Sequence, residues 1–483
     1  MRELPVALLK QGWQTTVLTP SYGMFHELPG AKLVDRVEVR FRGILQGLDV
    51  FEVPGSDPRV RNIAFEHPLF SPHGPGKVYC TDEPARPFAT DSNKFAFFCA
   101  AAATWINNAA DLPDAIHLHD WHAAPFLILR QFSPRFERLQ SVPAVFTIHN
   151  LAYQGVRPLS DDESSLEEWF PDLRYTYSAV RDPHIAECYN PMAAAIRLAD
   201  RISTVSPNYA REICDPITGE GLDTELSSAR DDGRLVGILN GCEYSRPKGR
   251  RPGWNTLVTL MQEQVEAWLR EYPASRMQAI AKKNLRALPK RRPRHVLTSV
   301  GRLVQQKVSL MVEILPNGKF ALEQILDDLG KDGVVIILGS GESEYEDRVA
   351  AIAEKSRNLV FLCGYSESLA EPLYRSGDLF LMPSSFEPCG ISQMLAMRRA
   401  QPCVVHDVGG LRDTVDDGRT GFVFRGEGSQ EQAGNFVAAV HRALAIKSDD
   451  NKRWQDICIA AASKRFSWDE AAKQTVGELY TNA

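Results

Sequence analysis

Glu387 stands in the stretch Pro383-Ser-Ser-Phe-Glu-Pro-Cys-Gly-Ile-Ser-Gln393. The apolar run Asp378-Leu-Phe-Leu-Met382 precedes it and helix-forming Met394-Leu-Ala-Met-Arg-Arg399 follows. Strand, loop and helix in that order set the Glu387 carboxylate at the carboxyl edge of a parallel sheet, where open α/β sheets bind ligands. A lone loop glutamate is ordinarily a surface acid. Its company argues for more. Gly301-Arg-Leu-Val-Gln-Gln-Lys307 also follows a strand-like run and offers two cations, Arg302 and Lys307. Gly409-Gly410-Leu411 comes just before a helix expected from about Arg412, where free backbone N–H groups suit an anion. Two cations and a helix start facing one cleft make a diphosphate site. The turn Gly339-Ser-Gly-Glu342 is a weak phosphate signal by itself. No G-x-x-x-x-G-K-[ST] motif is present, so this is not a P-loop ATPase. With no D-x-D pair for a metal-bound sugar nucleotide, the two cations would have to neutralise the diphosphate alone, and no metal or other cofactor is expected.

The first half of the chain repeats the same strand–polar loop–helix plan. Ala115-Ile-His-Leu-His119 runs into Asp120-Trp-His-Ala-Ala124, with Asp120 expected as an N-cap. Ala144-Val-Phe-Thr-Ile148 runs into His149-Asn-Leu-Ala-Tyr-Gln-Gly155, and Arg201-Ile-Ser-Thr-Val205 into Ser206-Pro-Asn208. Three such units imply a parallel sheet with right-handed crossovers, so their polar loops share one edge. His149 and Asp120 are gathered there, whereas His117 and His119, alternating along a strand, read as structural hydrogen-bonders. Leu235-Val-Gly-Ile-Leu-Asn-Gly241 ends a further strand in an Asn-Gly turn.

These loops need two α/β domains behind them. Residues 1–11 predict a short helix stopped by Gly12, then a strand over Thr15–Thr19, β segments over 33–53 and Pro- and Gly-rich loop from Pro54 to Pro87. A parallel unit normally opens with a strand, and none precedes the first helix, so a first strand and its loop are expected upstream of Met1. After Ser245 the character shifts: Arg-Pro-Lys-Gly-Arg-Arg-Pro, a helix expected near Leu257 to Tyr272, then Lys290-Arg-Arg-Pro-Arg294, together read as a linker region over 245–294 whose basic runs are solvated. Apolar runs at His295–Val300, 334–338, 359–362, Leu379–Met382 and 402–405 then describe a second doubly wound domain. The expected organisation is a first domain over 1–244, the linker, a second domain over 295–465 and a closing helix over 466–483.

At 483 residues the chain is long enough for two or three domains, and 24% charged residues with 44% hydrophobic describe a globular protein. A net charge of −6 gives no case for nucleic acid. The nine cysteines contain no C-x-x-C pair, which argues against zinc and redox motifs and for reduced thiols in a cytoplasmic protein. Neither a signal peptide nor a membrane span of roughly 18 apolar residues is read anywhere, so no membrane partner is expected.

Taken together, His119-Asp-Trp-His-Ala, Thr147-Ile-His-Asn-Leu-Ala-Tyr-Gln-Gly155, Ile238-Leu-Asn-Gly241, Arg302-Leu-x-x-Gln-Lys307, the Glu387 loop and Gly409-Gly-Leu-x-Asp-Thr-Val415 resemble the bacterial glycogen synthases and plant starch synthases, glycosyltransferase family five. The resemblance runs over nearly the whole chain, and Phe466-Ser-Trp468 leading to Tyr480 is similar to the family's closing helix, which returns to the first domain. It implies the α/β GT-B fold, two Rossmann-like domains facing across a cleft. It implies transfer of glucose from ADP-glucose to the non-reducing end of an α-1,4-glucan with retention, in glycogen biosynthesis. It gives Arg302 and Lys307 the diphosphate, Tyr365 the adenine, and Glu387 with the Cys389-Gly390 backbone the donor glucose hydroxyls. Gly409-Gly410 would face the phosphates, His149 the sugar near the reacting carbon with Asn240 close by, and Asp120 the acceptor or donor sugar. The family's Lys-x-Gly-Gly loop would fall upstream of Met1. Val308, Val408 and Cys242-Glu243 depart from the usual residues beside these motifs. The alternatives are a related retaining transferase using UDP-glucose or another acceptor, and a non-catalytic glucan-binding homologue.

Overall fold

Val37, Val39 and Phe41 alternate with Glu38 and Arg40, and this period of two builds a long strand with one buried face. The computed structural model describes residues 3–244 and 251–481. In the first part of the chain, β1 (Thr16–Pro20), β2 (Lys32–Phe41), β3 (Ile44–Glu52) and β4 (Arg61–Glu66) form a sheet in the order β1-β4-β3-β2. β1 and β4 are parallel, and the other two pairings are antiparallel. β4 corrects the reading of Pro54–Pro87 as loop throughout. Ile63, Ala64 and Phe65 are fully buried in it, a three-residue core signal hidden among flanking turn residues.

A second sheet follows from β5 (Ile116–His119) and β6 (Ala144–Ile148). Next come the short antiparallel pair β7 (Arg157–Pro158) and β8 (Cys188–Tyr189), then β9 (Arg201–Thr204) and β10 (Leu235–Gly237). β10-β9-β6-β5 are all parallel, so the loops after β5, β6 and β9 leave from one edge. β10 stops at Gly237, three residues before Asn240.

The later part carries six parallel strands: β11 (His295–Val300), β12 (Gly333–Gly339), β13 (Leu359–Cys363), β14 (Leu379–Met382), β15 (Cys403–His406) and β16 (Gly421–Phe424). Their order is β13-β12-β11-β14-β15-β16. Val335 and Ile337 of β12 join one core while Val334, Ile336 and Leu338 join another, because successive side chains leave opposite faces. Helices cover both faces, as a continuous apolar strand requires.

The helix expected near Leu257–Tyr272 is present, but the reading of 245–294 as linker is corrected. Helices Trp254–Glu271 and Arg276–Ala287 bury Leu257, Met261, Val265, Ala281 and Leu285 against that second core. Their apolar stripe makes them part of the domain, and the run at 245–250 lies outside the described residues. Two compact units result: residues up to Gly241 together with those from Trp468 onward, and Cys242–Ser467. In the first unit, helix Trp468–Gln474 packs on helix Leu4–Lys10, with Lys10 Nζ 2.8 Å from Asp469. All nine cysteines are free, and among the described residues no helix is long and apolar enough to cross a membrane.

Candidate active site

In the second unit β14 ends at Met382, and the chain turns back so that Glu387 is buried. Lys307 Nζ pairs with Glu387 Oε2, and Ser384 Oγ donates to the same oxygen at 3.1 Å. Lys307 reaches it because two loops are laced together. Ser385 N donates to Gln306 O at 2.9 Å, and Gln306 Nε2 donates to Phe386 O at 2.8 Å. A carboxylate taken out of water needs such compensation, and a cation plus a hydroxyl supplies it.

The glycines nearby are there for close approach. A Cβ on Gly409 would sit 1.9 Å from Glu387 O, and one on Gly410 2.2 Å from Cys389 O. The helix expected from Arg412 begins at Gly409, and Gly410 N donates inward to Glu387 O at 3.1 Å. The Gly410 N–H is therefore taken by the Glu387 loop, which corrects the reading of that group as free for an anion. Gln393 Nε2 fixes the rest of the loop, donating to Cys389 O and Gly390 O at 3.1 Å each. Gly339 and Gly341 likewise let the loop after β12 lie against Gly301 O and Leu303 O, where a Cβ would come within 1.8 and 2.3 Å. Packing explains that turn.

Two donors of contact stand open beside this scaffold. Arg302 is exposed and makes no ion pair among the described residues. Tyr365, two residues beyond β13, is 81% exposed. Arg302, Tyr365, Glu387, Cys389 and Gly390 thus lie on loops, and Lys307, Gly409 and Gly410 on short helices, at or just beyond the carboxyl edge of one sheet.

The first unit brings a second set together at the edge shared by β5 and β6. Asp120 has a positive φ of 55°, a costly conformation for a residue with a Cβ. Its carboxylate does not cap its own helix. It accepts from His149 N at 2.7 Å and Asn150 N at 3.4 Å, holding the loop after β6. Burial pushes the Asp120 carboxyl up to about 6. The His149 ring shares a hydrogen bond from Nε2 to His119 Nδ1 at 3.1 Å. His119 in turn stacks on His117, with ring centroids 4.4 Å apart, and His117 bonds Tyr480 Oη at 2.8 Å and Thr147 Oγ1 at 2.6 Å. Burial holds His149 down at about 4 and His117 at about 3, and His119 also lies well below its usual range, so these rings are neutral. Between neutral imidazoles one nitrogen donates and the other accepts, so the tautomer of His149 is coupled to that of His119. Asn240 is half-buried, its N–H donating to Val205 O at 3.3 Å.

Comparison with known proteins agrees with both halves. Residues 1–228 match the starch synthase catalytic domain, and residues 294–445 match the glycosyl transferases group 1 family. A glycogen synthase of Streptococcus sanguinis is 32% identical over 99% of this chain and 94% of its own length. One from Desulfitobacterium hafniense is 30% identical over 98% and 92%. This chain belongs to the glycogen and starch synthase family. The catalytic domain of starch synthase IV from Arabidopsis thaliana, solved with ADP and acarbose, superposes with a TM-score of 0.74 over 99% of this chain and 94% of that one, at 24% identity. A sucrose-phosphate synthase from Thermosynechococcus elongatus gives 0.55 over 99% and 91%, at 17% identity. The family's GT-B fold is thereby shared.

Within this glycogen synthase family chain, sequence reasoning missed His119 as a partner of His149. The available signal was its spacing: His119 ends β5 and His149 follows β6, and the parallel register sets His119 opposite Thr147. It also missed Gln306 and Ser384, which hold Lys307 and Glu387 in place.

Proposed function

We propose that this chain is a glycogen (starch) synthase, transferring glucose from ADP-glucose to the non-reducing end of an α-1,4-glucan with retention of configuration, in glycogen biosynthesis. The observation that carries this reading is the pairing of half-buried Lys307 with buried Glu387 at the carboxyl edge of a parallel sheet, with Arg302 exposed beside it. The printed name of the Streptococcus sanguinis relative, and the ADP and acarbose bound to the plant starch synthase domain, support the donor and acceptor classes.

In this mechanism Arg302 and Lys307 hold the donor diphosphate and stabilise the charge that grows on it as the C1–O bond breaks, work that pre-placed cations do without reorganisation. Glu387, neutralised by Lys307, accepts hydrogen bonds from donor glucose hydroxyls, and the Cys389-Gly390 backbone adds further contacts. Gly409-Gly410 shapes the phosphate side of that loop. Tyr365 lies against the adenine. From the first unit, His149 meets the glucose near C1, with Asn240 beside it, and Asp120 sets the His149 loop next to the sugar. The acceptor 4-hydroxyl attacks C1 on the face that ADP leaves, its proton passes to the departing phosphate oxygen, and no covalent glucosyl intermediate forms. Neither a metal nor another cofactor is required in this reading, and the enzyme works in the cytoplasm without a membrane or nucleic-acid partner.

The test is transfer of labelled glucose onto glycogen from ADP-glucose and, in parallel, from UDP-glucose. Incorporation from ADP-glucose, lost in Arg302→Gln, is expected. Glycogen binding with no incorporation from either donor would overturn the proposal in favour of a glucan-binding protein.

A further inference from the structure

A cavity of about 640 Å³ opens in the second unit at the opposite edge of its sheet from Glu387. Asp378 immediately precedes β14 and Arg294 immediately precedes β11, whereas the Glu387 loop follows β14. Four strand residues at about 3.3 Å each separate the two edges. Arg251, Arg294, Arg375, Arg399 and Lys447 line this cavity, and Asp378 is the only carboxylate among the lining residues.

The charges here do not balance. Asp378 is shared by three cations, Arg292 at 2.7 Å, Lys447 at 3.3 Å and Arg251 at 3.9 Å. Glu371, just behind, is shared by three more: Arg375 at 2.8 Å, Arg398 at 2.9 Å, and Arg399. A carboxylate fully neutralises one guanidinium, so both groups keep surplus positive charge, in a chain whose net charge is −6. Helix ends absorb part of it, since Ser376 O accepts from Arg251 at 2.8 Å and Arg292 at 3.0 Å. They do not absorb all: the Nε atoms of Arg398 and Arg399 are buried without a hydrogen-bond partner. Burial holds the Arg399 guanidinium below its usual range, with neighbouring cations adding to it, and burial likewise lowers the Lys447 ammonium. Solvation of the basic run at 290–294 holds for the exposed Arg294 but not for Arg292, which is half-buried against Asp378.

We infer that this cavity is a second anion site, distinct from the donor site, which binds the phosphate group of a small phosphate ester. A dianionic phosphate matches forked guanidinium donors, and Arg251 and Arg294 at the exposed mouth can close on it. Asn451 and Gln455, also in the lining, provide amides for the hydroxyls of the ester.

Inorganic pyrophosphate is the probe, titrated calorimetrically into the full chain at constant ionic strength. Because the proposed donor site also takes a diphosphate, the Arg302→Gln variant serves as the background that removes it. Binding is expected to persist there with one site and to weaken at least tenfold when Arg251→Gln and Arg294→Gln are added. These two residues are exposed, so the melting temperature without ligand stays near wild type. Lys447→Gln is the second variant and weakens the same site. Binding abolished by Arg302→Gln alone, or unchanged by Arg251→Gln/Arg294→Gln and by Lys447→Gln, would overturn the inference while leaving the transferase reading intact.

Discussion

Lys307 and Glu387 neutralise one another: a half-buried cation from the segment after β11 meets a buried carboxylate from the loop after β14. Each is the other's counter-charge. Removing one leaves a charge stranded in low dielectric, and that costs about 3 kcal/mol. Lys307→Met and Glu387→Gln are each expected to lower the melting temperature, and the double variant to recover most of that loss. Transfer activity stays absent in all three, since the double variant restores neutrality without restoring contacts to the donor. Calorimetry and a transfer assay on the four proteins separate the two effects. A double variant no more stable than the singles would mean that the pair is incidental.

Gly410→Ala places a methyl where Cys389 O already stands, 2.2 Å away. One of the two backbones must move, and overpacking of this kind costs about 1–3 kcal/mol. The expected outcome is a lower melting temperature and at least a tenfold loss of transfer, because the displaced segment carries Glu387. Wild-type kinetics in Gly410→Ala would show that the loop tolerates the shift.

His119 acts through His149. His119→Phe removes the 3.1 Å hydrogen bond while keeping a ring in place, and frees His149 to take either tautomer. A fall in kcat with little change in KM for ADP-glucose is expected, together with a displaced acidic limb of the pH–rate profile. His119→Asn, which can still bond His149, should recover part of the rate. If kcat and KM are unmoved by His119→Phe, the hydrogen bond has no bearing on the reaction.

The buried rings also set a pH dependence of stability. His117 and His149 titrate at about 3 and about 4 in the folded chain, below the ordinary value near 6.5. On acidification the unfolded chain therefore takes up protons first, and stability falls from about pH 6.5 downward. Asp120, raised to about 6, acts with the opposite sign: its stabilisation is full below about pH 4 and is lost as pH rises through 6. The histidines outnumber it, so the melting temperature should drop between pH 6.5 and 4, and His117→Gln should flatten that slope. An unchanged slope in His117→Gln would locate the acid sensitivity elsewhere.

Much of this architecture was legible because buried parallel strands are apolar throughout and end abruptly in polar loops. His295–Val300 and Leu379–Met382 stood out for that reason, and with them Arg302, Lys307 and Glu387 at their ends. What escaped depended on partners distant in sequence. β4 carries few apolar residues and is completed only by pairing with β1 and β3. A helix near 257–272 was legible, but the segment 254–287 looked like linker because basic runs flank it, while the stripe it buries is recognisable only against the sheet. Gly409-Gly410 was read as an anion-binding turn, since no local pattern announces that Glu387 O and Cys389 O lie against it. The His119–His149 bond required the register of two strands.

One feature of the chain path bears on biosynthesis. The second unit is a single uninterrupted segment, Cys242–Ser467, whereas the first is closed by Trp468 and the residues beyond it, including Tyr480 against His117. The second unit needs no residue outside its own segment to complete its core. The first, although made earlier, must wait for residues that are added more than two hundred positions later. The nascent first unit, with Val145 and Ile238 still lacking Ala471 and Leu479, is the stage at which a chaperone would have most apolar surface to hold.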